Sequence, residues 1–229
     1  MKPITALFSL VFAASLAAAP KGQLTYETPA AAAKDPDFAI QGEYTGEGMD
    51  GEGKQSKLGL QIVALGEGTF QATAFGGGLP GAGWDGDTKW VYSGKRKGED
   101  KASFANDQSP ISLHYLKGKV IAAKGDQKVG AFEKVTRKSP TLGAKAPKGA
   151  QVLFSGIDNG TLDQLEVTDD GLMKEGAITK DKFQSFKLHV EFRLPFKPTA
   201  RGQARGNSCL LYTSPSPRDR TRSRMPSSA

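Results

Sequence analysis

Cysteine is almost missing from this chain. The single one, Cys209, lies in a C-terminal stretch of different character, so residues 1–208 hold none. A disulfide framework and a thiolate metal site are therefore excluded for that part. Histidine is nearly as scarce. His114 and His189 are the only two, far apart and in no H-x-x-x-H pair, so no metal and no cofactor is expected. Excess charge is also less than it looks. Arg218, Arg220, Arg222 and Arg224 against Asp219 carry three of the seven formal positive charges, leaving +4 for residues 1–208, scattered among acids. No basic stripe interleaved with aromatics is present, and nucleic acid is not an expected partner. After the first twenty residues no run is apolar enough to cross a membrane as a helix.

What the chain does have is glycine, 28 residues of it, between short β-prone runs. Residues 1–19 read as a signal peptide: Lys2, then an apolar centre around Leu7, Phe8, Leu10, Val11 and Phe12, then small residues up to Ala19. An uncleaved anchor is the alternative. The expected location is secreted or periplasmic. Residues 20–37 read as a linker in which the Ala30–Ala33 run is limited by Pro36. Residues 38–135 read as a small antiparallel β domain. Its strand candidates are 39–44, 58–65, 69–75, 89–92, 102–104, 111–115, 119–123 and 131–135, and Gly66-Glu67-Gly68 turns the second into the third. The glycine-rich loop 76–86 lacks the Lys-Ser or Lys-Thr of a phosphate loop and is followed by strands, so its glycines are expected to serve a wide turn. Trp84 and Trp90 are expected to be packed aromatics, with stacking on a sugar face as the alternative. His114 is expected to be structural. Residues 136–148 form a second linker.

The stretch Phe183–Ser208 carries the densest signal. Phe186, Leu188, Val190, Phe192 and Leu194 alternate with Lys187, His189, Glu191 and Arg193, the period of a half-buried strand. Its polar face lines up an imidazole, a carboxylate and a guanidinium. The runs H-V-E-F-R-L-P-F and A-R-G-Q-A-R-G-N-S resemble the bacterial 3-keto-disaccharide hydrolase family over residues 149–208. The match is imperfect: Phe154-Ser155-Gly156 stands where the family has F-D-G, the tryptophan that follows there is missing, and Ser185 replaces an acid. The resemblance implies an all-β chain in which the small N-terminal β domain is followed by the first part of a concanavalin-like β-sandwich, or jelly roll. It also implies a keto-sugar carbohydrate as substrate.

A ketone at C3 acidifies the C2 hydrogen, so one base and one group polarising the ketone could release the aglycone by elimination, with water adding afterwards. On the shared face, Glu191 is the candidate base, His189 a proton carrier and Arg193 the clamp on the oxyanion or hydroxyl. The resemblance places Arg201, Arg205 and Asn207 on the border of the sugar cleft. The competing reading makes Glu191 and Arg193 a surface ion pair and Asn207 a loop-holding residue. Residues 149–208 supply only part of a sandwich, so their apolar face is expected to lack an opposing sheet and the chain to be inactive as it stands. Residues 209–229 read as a translated sequencing-library adapter, with a natural Ser/Pro/Arg-rich tail as the alternative. Two roles other than glycoside cleavage stay open: a non-catalytic carbohydrate-binding protein, and a structural exported β-protein.

Overall fold

The structure is a computed structural model and describes residues 24–49 and 53–206. The signal peptide, the tail and Asn207 lie outside the described residues. The chain divides into two compact units, one of residues 1–135 with 194–229 and one of residues 136–193.

Eight antiparallel strands of the first unit close into a barrel. They are β1 (Gly42–Met49), β2 (Gln55–Gly66), β3 (Thr69–Gly76), β4 (Lys89–Gly98), β5 (Lys101–Ala105), β6 (Ile111–Leu116), β7 (Lys119–Lys124) and β8 (Gln127–Val135). Each strand pairs with the next, and β1 pairs with β8 from Glu43↔Val135 to Gly48↔Gly130. Alternation sorts the side chains. Tyr44, Leu60, Ile62, Phe70, Phe104, Val120 and Phe132 are buried, with at most 2% of their surface exposed, while their strand neighbours face out. An eight-stranded barrel is just wide enough for side chains to fill, and this interior is filled by them. Closure depends on close backbone approach at β1: a Cβ at Gly46 would collide with the carbonyl oxygen of Ala131 on β8.

One barrel end is covered by residues that precede β1. Helix α1 (Pro29–Ala32) is capped by the Thr28 hydroxyl, which accepts from the Ala31 N–H. Helix α2 (Pro36–Ile40) starts at Asp35, whose carboxylate accepts from the Asp37 N–H, with Pro36 in the first turn. An Asp cap followed by proline is a local start signal. The segment 194–206 returns to the same unit. Phe196 forms an antiparallel bridge with Tyr26, stacks on it at 5.7 Å and meets the Phe38 ring edge-on at 5.1 Å.

The second unit, 136–193, is built differently. Its named strands are two residues each, β9 (Leu162–Asp163) and β10 (Ile178–Thr179), paired with one another. Leu162 is the one buried apolar side chain among the described residues of this unit. Side chains clasping loop carbonyls, such as Thr161 Oγ1 to Leu153 O at 2.6 Å and Asn159 Nδ2 to Val152 O at 2.8 Å, fix its turns.

The expected fold class is thereby corrected. The N-terminal β region is a closed eight-strand barrel, and residues 149–206 form no concanavalin-like sandwich or jelly roll. The alternating stretch 186–194 joins no ladder except the bridge at Phe196 beyond its end. Alternation specifies a strand only where another strand supplies hydrogen bonds and cover. Here Phe186, Leu188, Val190, Phe192 and Leu194 stay 40–63% exposed.

Candidate functional site

The residues singled out from sequence do not assemble into one site. His189, Glu191 and Arg193 belong to the second unit, Arg201 and Arg205 to the first. Within the second unit His189 Nε2 lies 3.1 Å from Glu191 Oε1, as neighbours two apart on one face can. The same carboxylate oxygen accepts from the Gly143 N–H. These two contacts, His189 first, hold the Glu191 carboxyl below the usual range. A carboxylate shifted that way is a weaker base, the wrong direction for abstracting a carbon-bound proton near neutral pH. Both side chains are open to water, 53% and 38% exposed, so no dry environment strengthens the pair.

Arg193 is already engaged. Its Nη1 pairs with Asp170 Oδ2, and that contact leads the causes lowering the Asp170 carboxyl, followed by the Thr168 hydroxyl. Arg201 donates to the carbonyls of Pro198 and Ala200, both at 2.8 Å, and of Leu65 at 2.7 Å. Arg205 donates to Pro198 O at 3.3 Å and Gln41 Oε1 at 3.2 Å. Both arginines fasten the 194–206 segment to the barrel. Among the described residues no group of three or more His, Cys, Asp or Glu could hold a metal ion. His114 sits exposed on β6, 2.9 Å from the Ser112 hydroxyl.

A different place has the shape of a binding site. Strand β4 runs for 10 residues and β5 for 5. Their pairing begins only at Ser93↔Ala105, while β3 pairs β4 from Phe75↔Lys89. Lys89–Tyr92 thus has a ladder neighbour on the β3 side alone. The gap beside it is an open groove of about 490 Å³, lined by Lys89, Trp90, Val91, Asn106 and Gln108. Trp90 is half-buried and rests against the core. Asn106 is held by its own turn: its side-chain oxygen accepts from the Gln108 N–H at 2.8 Å and its carbonyl from the Ser109 N–H at 3.0 Å. The groove thus combines an indole, two carboxamides and an ammonium on a rigid frame.

Sequence reasoning found Trp90 as a residue but not the groove. The signal lies in the unequal lengths of β4 and β5, and local patterning does not reveal that stagger. Trp84 takes the packed role expected of it: its Nε1–H donates to Thr88 O at 3.0 Å and its ring meets Phe75 edge-on at 5.3 Å. The glycine loop holds no phosphate-type nest. Gly77 and Gly78 adopt positive φ, and the loop backbone lies so close over Gly59 that a Cβ there would stand 2.5 Å from it. A second, smaller groove of about 370 Å³ borders this loop, with Gly46, Gly77 and Gly78 among its lining residues.

No family model matches the chain, and no curated protein matches it. Among solved structures the chain is similar to Ex-FABP, described as a siderocalin with dual ligand specificities. The identity is 15%, over 46% of this chain and 80% of that one, with a TM-score of 0.27, a likeness too slight to argue from. Among the described residues no helix is long and apolar enough to cross a membrane.

Proposed function

We propose that this chain is an exported carbohydrate-binding protein whose barrel takes the sugar, without catalysis, in the groove beside the start of β4. The observation that carries the reading is the groove itself, on a barrel whose interior is filled with side chains. Sugars present C–H faces to an aromatic ring and hydroxyls to amides and ammonium groups. Trp90 supplies the first, and Asn106, Gln108 and Lys89 supply the second. Export rests on the leader-like composition of residues 1–19.

Trp90→Ala is expected to weaken binding of an oligosaccharide at least tenfold by calorimetric titration. Trp84→Ala, which removes an indole outside the groove, is expected to leave binding within about twofold. Equal losses from both substitutions would reject the groove, since they would mark a general effect on the barrel.

A second reading, cleavage of 3-keto-glycosides, is favoured by the His189–Glu191 contact alone. Its test is turnover of a 3-keto-disaccharide, with Glu191→Gln as control. The lowered Glu191 carboxyl argues for no turnover by the wild-type chain. Turnover abolished by Glu191→Gln would establish the hydrolase reading instead.

A further inference from the structure

Residues 194–206 return to the barrel unit with Lys197, Arg201 and Arg205 and no acid. The two arginines converge. Arg201 Nη1 and Arg205 Nη1 both donate to the Pro198 carbonyl, at 2.8 and 3.3 Å. Two guanidiniums on one oxygen repel one another, and both stay charged near neutral pH. The other acceptors around them are neutral as well: Ala200 O and Leu65 O for Arg201, Gln41 Oε1 for Arg205. Even Gln41 is shared, because its Oε1 also accepts from the Ala64 N–H at 3.0 Å. Among the described residues no carboxylate forms an ion pair with either arginine. Asp37, the buried acid of α2, is taken by Arg96 and the Gly68 N–H. Burial first and Arg201 second hold the Arg205 guanidinium below its ordinary range.

Like charges brought together at a half-buried position, without a counter-ion, are what a bound anion offsets. Donors remain to hold one. A guanidinium has five N–H groups, and Arg201 makes three hydrogen bonds with them and Arg205 two. We propose that Arg201 and Arg205 together bind a phosphate-type oxyanion where residues 194–206 lie against the end of β2. Charge favours such a group over a carboxylate. A phosphate monoester brings close to two negative charges and three strong acceptor oxygens to the two cations. A carboxylate brings one charge and two oxygens, enough for a single guanidinium fork. The site shares no residue with the groove beside β4, and it does not depend on the carbohydrate reading.

The test is a titration of the isotope-labelled full chain with inorganic phosphate near neutral pH, at an ionic strength held constant with chloride, followed at the arginine Nε–H resonances. Saturable shifts are expected at Arg201 and Arg205, and none at Arg96, whose Nε is bonded to Asp37. Sulfate should compete. Acetate should bind about tenfold more weakly or worse, since one charge replaces two. Arg205→Gln should lower phosphate affinity by about tenfold or more. Arg205→Lys keeps the charge but loses the fork, and should lower it about three- to fivefold. Tryptophan emission from Trp84 and Trp90, both in the barrel unit, checks that each variant is folded. No saturable shift in the wild-type chain would overturn the proposal whatever the variants do. Acetate binding as tightly as phosphate would overturn the class of ligand. Undiminished affinity in folded Arg205→Gln would overturn the site.

Discussion

Phe196→Ala is expected to lower the stability of the barrel unit by about 3–5 kcal/mol, the range for removing a buried phenylalanine. Phe196 is 6% exposed and lies about 60 positions beyond the end of β8, the nearest barrel strand in sequence, yet it belongs to the barrel core. Its ring fills the space between Tyr26 and Phe38. Its backbone exchanges hydrogen bonds with Tyr26, at 3.0 Å from its own N–H and 2.9 Å to its carbonyl. Alanine keeps the backbone bridge and leaves a cavity where the ring was. Since a domain of this size is stable by only about 5–15 kcal/mol, the loss is a large share of the whole. Both tryptophans, Trp84 and Trp90, lie in the barrel unit, so urea unfolding followed by tryptophan emission reports on that unit. Phe196→Leu, which retains most of the apolar volume, should lose less than half as much. A loss below about 1 kcal/mol for alanine would mean that the returning segment does not contribute to the barrel.

The second large effect concerns Asp37, the buried charged side chain of the barrel, 2% exposed. One carboxylate oxygen accepts from the Gly68 N–H at 2.9 Å, in the β2–β3 turn, and the other from Arg96 Nε at 2.8 Å, on β4. The residue thus ties α2 to two neighbouring barrel elements at once. Asp37→Ala leaves a buried N–H without its acceptor and a guanidinium without its partner. Because Arg96 is 29% exposed, water recovers part of its loss. The expected cost is about 2–4 kcal/mol, below that of a fully buried pair broken on one side. Asp37→Asn keeps the shape and one acceptor and should cost about half as much. Arg96→Met tests the coupling: with Asp37→Ala already present, it should add little, because the ion pair it would break is gone. Full additivity of the two would show that the contact carries no interaction energy.

The strands of the barrel were legible in the sequence because each is a local pattern. Alternating runs bounded by glycine or charged turns mark β2, β3 and β5 to β7 almost at their ends, and the Gly66–Gly68 turn with them. Strand β1 begins later than the alternation at residues 39–44 suggests, because Asp35-Pro36 starts a short helix that the linker-like composition before it does not announce. Closure was not legible. It depends on β1 meeting β8, some ninety residues later, and on glycines such as Gly46 whose meaning appears only when the two backbones are side by side. The stretch 186–194 fails in the opposite sense. Its period is that of a strand, but period alone supplies no partner, and the sandwich it suggested does not form. The arginines show why residue type is a weak guide to a site. Arg201 and Arg205 have the donors to clamp a sugar, yet main-chain carbonyls and Gln41 take them. The groove at β4 stayed hidden because its walls come from a strand and a turn that the sequence does not mark as neighbours.

The most direct measurement is a titration of the isotope-labelled chain with oligosaccharides, followed by amide and indole shifts in nuclear magnetic resonance spectra. The binding account predicts saturable shifts at the Trp90 indole, the side-chain amides of Asn106 and Gln108, and the backbone of Lys89 and Val91, with Trp84 and His114 little changed. Shifts confined to His189, Glu191 and Arg193, or no saturable shift in the groove, would contradict it.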